Sequence, residues 1–210
     1  MDVHVVLFFM STLLWKVHSL KCIKCIPESE TSLNCTNTEM DCPNGKCLSL
    51  GITSYTVGLK ANHINMKFCS TPGQCPSGTI NYGMVVSSYK SQCCGTNLCN
   101  AQDMPDIPLV SSKNGQKCFT CAGPDCSSTV DCLGDENRCI KSRVITGSGV
   151  TMTLKGCASE NLCGASQSQV LPNIHTSSVC CEGSLCNHGE HSRFALALLL
   201  MALSSLILTL

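Results

Sequence analysis

Cys93-Cys94-Gly95-Thr96-Asn97-Leu98-Cys99-Asn100 returns near the other end of the chain as Cys180-Cys181-Glu182-Gly183-Ser184-Leu185-Cys186-Asn187. Both stretches read C-C-x3-L-C-N, and each closes a block of cysteines. The first block holds Cys22, Cys25, Cys35, Cys42, Cys47, Cys69, Cys75, Cys93, Cys94 and Cys99. The second holds Cys118, Cys121, Cys126, Cys132, Cys139, Cys157, Cys163, Cys180, Cys181 and Cys186. Both blocks open with C-x2-C, and both carry C-x5-C (Cys69–Cys75 and Cys157–Cys163). The flanks agree too: Met66-Lys67-Phe68-Cys69 stands against Leu154-Lys155-Gly156-Cys157. Self-similarity on this scale marks an internal duplication. Between the copies, Ala101–Gln116 carries Pro105, Pro108, Ser111, Ser112, Asn114 and Gly115, and reads as a linker.

The composition fits a stapled scaffold. The chain has 210 residues and 20 cysteines. That density and even count point to disulfides formed in an oxidising compartment. Only 4% of residues are aromatic, so each copy has little from which to build a core. Covalent crosslinks must supply part of the stability. The formal net charge is +0, and no charge run occurs outside the end segments. No basic surface for nucleic acid is implied.

Both ends are apolar. Met1–Ser19 reads as a secretory signal, with Val5–Trp15 as its hydrophobic stretch and Val17 and Ser19 before the cut. The mature chain then opens at Leu20. Met1–His4 has no Lys or Arg, and the competing reading is a membrane anchor, for which the run is short. Phe194–Leu210 is a second apolar run, with no basic residue after it. Behind a polar spacer, this is the pattern of a glycosylphosphatidylinositol (GPI) attachment signal. Asn187-His188-Gly189 offers small residues at the attachment position and two beyond it, so Asn187 is expected to take the lipid. Gly189 is the second choice, because His191 is large. The spacer His188–Arg193 falls short of the usual span of roughly 8–12 residues. A transmembrane tail is the alternative, at the bottom of the spanning range. These readings divide the chain into signal peptide 1–19, first domain 20–100, linker 101–116, second domain 117–187 and a removed propeptide 188–210.

The long gaps between cysteines read as β-hairpins. Ile140–Thr146 and Val150–Gly156 are rich in Val, Ile and Thr and flank Gly147-Ser148-Gly149. Leu48–Ser54 and His63–Cys69 do the same around a longer tip, Tyr55–Asn62. Tyr82–Tyr89 reads as one strand of a third hairpin. No stretch of the mature chain carries helical periodicity. Small all-β, disulfide-rich domains are expected.

The doubled cysteine set resembles the lymphocyte-antigen-6 / urokinase-receptor family of three-finger domains. The resemblance covers Lys21–Asn100 and Lys117–Asn187. Ten cysteines alone allow roughly 900 pairings, by extension of the counting rule. The resemblance implies one of them: Cys22–Cys47, Cys25–Cys35, Cys42–Cys69, Cys75–Cys93 and Cys94–Cys99 in the first domain. In the second it implies Cys118–Cys139, Cys121–Cys126, Cys132–Cys157, Cys163–Cys180 and Cys181–Cys186. It further implies two tandem three-finger domains, in which Asn100 and Asn187 hydrogen-bond back to the first strand.

Other chemistry finds little support in the residues. C-x2-C also suits zinc, but a secreted chain with every cysteine in a set favours disulfides. No cysteine is left over as a nucleophile. His63, His175 and His188 sit in no catalytic or metal motif, and His191 leaves with the tail. Asp131, Asp135 and Glu136 read as solvated surface, and no cofactor is expected. Asn34-Cys35-Thr36 is the only glycosylation sequon, at Asn34. Candidate ligand contacts are Tyr55, Val57 and Leu59 on the first long finger, and Arg138, Lys141 and Arg143 in the second domain. Alternation places Lys141 and Arg143 on one strand face.

Together these readings describe a cell-surface protein held in the outer leaflet of the plasma membrane by a lipid. The resemblance implies receptors, adhesion molecules and modulators of surface proteins. The expected partner is an extracellular or membrane protein, with no catalysis. The alternative is a secreted soluble inhibitor like the two-domain plasma phospholipase inhibitors, which lack an apolar tail.

Overall fold

A computed structural model describes residues 19–27, 35–71, 75–145, 149–163 and 175–188. The signal segment, the Asn34 sequon, most of Gly147-Ser148-Gly149 and the apolar tail lie outside the described residues. Within them the chain is built from β-strands, with no α-helix and one 3-10 turn at Glu160–Leu162. The strands are β1 (Leu20–Lys24), β2 (Thr38–Cys42), β3 (Lys46–Thr56), β4 (Leu59–Ser70), β5 (Gly78–Asn81) and β6 (Val85–Cys94). They continue as β7 (Lys113–Ala122), β8 (Asp125–Leu133), β9 (Arg138–Ile145), β10 (Thr151–Ala158) and β11 (His175–Cys181). β1 pairs with β2, β7 pairs with β8, and the other seven form one sheet in the order β11-β9-β10-β5-β6-β3-β4.

All twenty cysteines are in disulfides. The first copy has Cys22–Cys47, Cys25–Cys35, Cys42–Cys69, Cys75–Cys93 and Cys94–Cys99. The second has Cys118–Cys139, Cys121–Cys126, Cys132–Cys157, Cys163–Cys180 and Cys181–Cys186. Cys42–Cys69 spans 27 residues, and a loop of that size gains roughly 3–4 kcal/mol from closure in the chain-entropy account. Cys121–Cys126 staples the tip of the β7–β8 hairpin, beside its Gly123-Pro124 turn, whereas the turns at Val57-Gly58 and Gly83-Met84 carry no crosslink.

The described chain divides into two compact units. The first comprises residues as far as Gly51 with Ile64–Cys75 and Lys90–Asp106. The second comprises Ile52–His63, Pro76–Tyr89 and the chain from Ile107 onward.

The first unit is organised around sulfur. Cys22, Cys42 and Cys47 are buried together, with Leu20, Met40, Cys69, Cys94 and Cys99 packed against them. Asn100 acts as an extra rung of the ladder. Its Oδ1 accepts from the Ile23 N–H at 2.9 Å, and its Nδ2 donates to the carbonyls of Ile23 at 2.8 Å and Leu48 at 3.1 Å. Leu98 has φ 56°, in the left-handed region, and its N–H donates to the Lys21 carbonyl at 2.7 Å. Lys67 is only 4% exposed, and its Nζ meets Asp103 Oδ1 and the Ala101 carbonyl, each at 2.7 Å. The linker is therefore fastened at its start, where Met104 is also buried.

The second unit repeats these devices. The Asn187 Oδ1 accepts from the Phe119 N–H at 2.9 Å, while Nδ2 donates to the carbonyls of Phe119 and Ile140 at 3.0 and 2.9 Å. Leu185 has φ 61°, and its N–H donates to the Lys117 carbonyl at 2.7 Å. Cys118, Cys132, Cys139 and Cys157 form one buried cluster. Ile80, Ile140, Ala158 and Leu162 form another, with Tyr82 and Tyr89 packed on it. The second cluster joins the fingers, because β10 pairs with β5 through Cys157↔Asn81 and Ala158↔Ile80. Gly156 permits that approach: a Cβ there would collide with the Asn81 carbonyl oxygen.

Two expectations about hairpins change. The finger expected to carry a long tip at Tyr55–Asn62 has strands reaching Thr56 and resuming at Leu59. Only Val57 and Gly58 turn, at φ 50° and 79°. Positive φ at both central residues is the I′ arrangement, usually written with Asn-Gly, so Val57-Gly58 gave no turn signal. Tyr82–Tyr89 is not one strand either. Gly83, at φ 85°, turns the chain between β5 and β6.

Candidate functional site

Two tight turns of the second unit, Val57-Gly58 between β3 and β4 and Gly83-Met84 between β5 and β6, project apolar side chains. Val57 and Leu59 are each 76% exposed, Met84 is 66% exposed and Val85 39%. The turns are neighbours, since the Val57 N–H donates to the Met84 carbonyl at 3.1 Å. β-Branched residues rarely occupy the left-handed region, where the backbone crowds Cβ. Val57 therefore costs stability without burying its side chain. Exposed apolar patches with a polar surround mark interaction surfaces.

Tyr55 does not join this surface. It is buried, and its hydroxyl donates to the Ile107 carbonyl at 2.6 Å. Ile107 is also held by the Thr53 hydroxyl, which accepts from its N–H at 3.0 Å. Tyr55 thus secures the chain beyond the first copy, and the reading of it as an exposed contact is corrected. Sequence inspection found Val57 and Leu59 but missed Met84 and Val85. The signal available was Gly83 followed by an apolar run.

The second-domain candidates divide. Arg138 is paired with Glu160 and Glu182, each at 2.9 Å. Lys141 is half-buried and Arg143 exposed, both on β9. The ladder places Lys155 directly opposite Lys141. Lys155 is 8% exposed and lies 5.8 Å from the centre of the Phe119 ring. Burial first, and the Lys141 charge second, hold its ammonium below the ordinary lysine range.

Glu136 is not solvated surface. Its side chain is fully buried. Oε2 accepts from the Leu133 N–H at 2.7 Å and from Asn81 Nδ2 at 3.2 Å, while Oε1 has no hydrogen-bond partner. Burial raises its carboxyl to about 7, against the two hydrogen bonds and with a smaller push from Asp135. Asp131 lies in β8 and pairs with Lys113 at 2.6 Å and Lys117 at 3.5 Å. Its hydrogen bond with Lys113 is the main cause holding it below the usual carboxylate range. The sulfurs of Cys118, Cys132 and Cys157 crowd together. All three are disulfide sulfurs, which lack the thiolate charge that zinc binding uses.

Comparison with known proteins agrees with this architecture. The u-PAR/Ly-6 domain model matches residues 18–102, and the snake toxin and toxin-like protein model matches residues 116–187. The urokinase plasminogen activator surface receptor of Bos taurus is 27% identical over 184 residues, covering 80% of this chain and 54% of that protein. A gamma-type phospholipase A2 inhibitor of Elaphe climacophora is 32% identical over 107 residues, covering 46% of this chain and 54% of the inhibitor. This chain thus spans about half the length of both. Xenoxin-2 of Xenopus laevis is 31% identical over 71 residues, and the match takes in 97% of its length. Two family models, twenty paired cysteines and a relative matched almost end to end place this chain in the u-PAR/Ly-6 family, with two three-finger domains.

Proposed function

We propose that this chain is a lipid-anchored cell-surface protein that binds a protein partner, without catalysis, through the apolar tips at Val57, Leu59, Met84 and Val85. The exposed tip patch carries the reading. A disulfide-tied base holds it still, which lowers the entropy lost on binding. The bovine relative is by name a surface receptor. The apolar tail Phe194–Leu210 supports attachment to a glycolipid. Asn187 is 4% exposed and fastened to two strands. That favours Gly189, the first small residue past the fastened loop, as the attachment point over Asn187.

The phospholipase inhibitor among the relatives supports a second reading, a secreted soluble inhibitor. One experiment separates the two. The full chain is expressed in cultured animal cells, purified, coupled to fluorescent beads and offered to a panel of cells. A cell-surface binding protein is expected to remain on its expressing cells until phosphatidylinositol-specific phospholipase C releases it. Its beads should bind target cells saturably, and trypsin treatment of those cells should abolish binding. Spontaneous secretion, with inhibition of a phospholipase and no bead binding, would replace this reading with the inhibitor.

A further inference from the structure

Lys141, Arg143 and Lys155 share one face of the β9–β10 hairpin, and no acidic side chain among the described residues pairs with any of them. Lys141 stands opposite Lys155 across the ladder, and Arg143 opposite Thr153. On the other side, Val179 of β11 stands opposite Lys141 and Ser177 opposite Arg143. Side chains directly opposite one another lie on one face of a sheet. Like charges in that relation are unfavourable unless something neutralises them.

The first copy neutralises its equivalent lysine. Lys67 occupies the position of Lys155 and meets Asp103 at 2.7 Å. Lys155 has an aromatic ring and another lysine instead. From Ile140 to Cys181 the sequence holds one acid, Glu160, which is engaged by Arg138. In sequence, the counterpart of Asp103 is Glu190, which lipid attachment at Gly189 or Asn187 would remove. The inference rests on that reading for the mature chain.

We infer that this face docks a protein segment presenting carboxylates beside an apolar side chain. Charge complementarity selects the carboxylates. Val179, 71% exposed, and Ile145, 39% exposed, lie on the same face and offer apolar contact. A sulfated glycan or a lipid head group would leave that contact unused, whereas a peptide uses both.

The test uses full-chain protein purified in detergent from expressing cells. The probe is a fluorescent extended peptide, Glu-Ser-Val-Ser-Glu, whose alternation sets two carboxylates and the valine on one face, with its Gln-for-Glu counterpart, a heparin fragment and phosphatidylserine vesicles as comparisons. Saturable binding of the acidic peptide alone is expected. Binding should weaken about tenfold in Lys141→Glu/Arg143→Glu, whose melting temperature should equal or exceed the parent's, since a glutamate in place of Lys141 would face Lys155 instead of a like charge. It should weaken comparably as salt rises from about 0.05 M to about 0.5 M. Equal binding of the Gln peptide, indifference to charge reversal, or binding of heparin or vesicles without the peptide overturns the inference. If the peptide binds only in Glu190→Ala, the face is upheld and the removal of the C-terminal segment is what fails.

Discussion

The Val57 N–H donates to the Met84 carbonyl oxygen at 3.1 Å, tying the turn between β3 and β4 to the turn between β5 and β6. That bond makes one surface from two fingers. It also holds Val57 at φ 50°, a conformation that valine resists. Burial does not offset that strain, because the Val57 side chain is 76% exposed.

Val57→Asn should therefore raise stability while impairing recognition. Asn tolerates the left-handed region and suits the first position of this turn. Relief of about 1 kcal/mol is expected in chemical denaturation. Bead binding to target cells should fall in the same variant. A loss of stability would show that the turn conformation is not the source of strain.

Glu136 makes the second unit sensitive to pH. Its carboxyl ionises near 4.5 when unfolded and near 7 when folded. Between these values the folded state holds the extra proton, so stability falls as pH rises through that window. The effect is on the order of 2–3 kcal/mol. Melting curves at pH 5 and pH 7.5 should show the higher midpoint at pH 5, by several degrees. Glu136→Gln should flatten the dependence and gain stability at pH 7.5. A stability that climbs steadily from pH 5 to pH 7.5 in the parent would contradict the buried, unpaired Oε1.

Asn100 and Asn187 should be intolerant of charge. In Asn187→Asp, an oxygen replaces the Nδ2 that donates to the carbonyls of Phe119 and Ile140. Lost bonds and facing lone pairs should cost about 3 kcal/mol. Display at the cell surface and the denaturation midpoint should both drop. Asn100→Asp should behave alike, since its Nδ2 faces Ile23 and Leu48. Unchanged midpoints would mean that the disulfides alone hold the last loop.

Gly156→Ala tests the pairing of β10 with β5. The added methyl meets the Asn81 carbonyl and cannot rotate away. A loss of more than about 2 kcal/mol is expected. Faster amide hydrogen exchange should appear first at Ile80 and Asn81. Protection equal to the parent's would show that the two strands do not depend on close approach at this point.

The cysteine frame was legible because covalent spacing is local: C-x2-C, C-x5-C and C-C-x4-C-N are visible without a structure. Pairing was not local, and came from resemblance. The hairpin β9–β10 announced itself through Val, Ile and Thr runs. Val57-Gly58 did not, because its turn depends on a backbone conformation its first residue disfavours. Tyr55 looked like a tip aromatic, but its hydroxyl is claimed by Ile107, far along the chain. Glu136 looked like one acid among several in a polar loop. Its burial depends on Asn81, more than fifty residues away, and no short-range pattern records such a contact.

The central claim is that the joined tips recognise a protein partner. The most direct measurement is bead binding of Leu59→Asp/Met84→Asp to target cells, beside the parent protein. Both side chains are exposed, so folding and melting temperature should be unchanged. The account predicts a loss of at least about tenfold in apparent affinity, as burying two carboxylates in an apolar contact requires. Parental binding by a normally folded double variant would contradict it and move the recognition surface away from the tips.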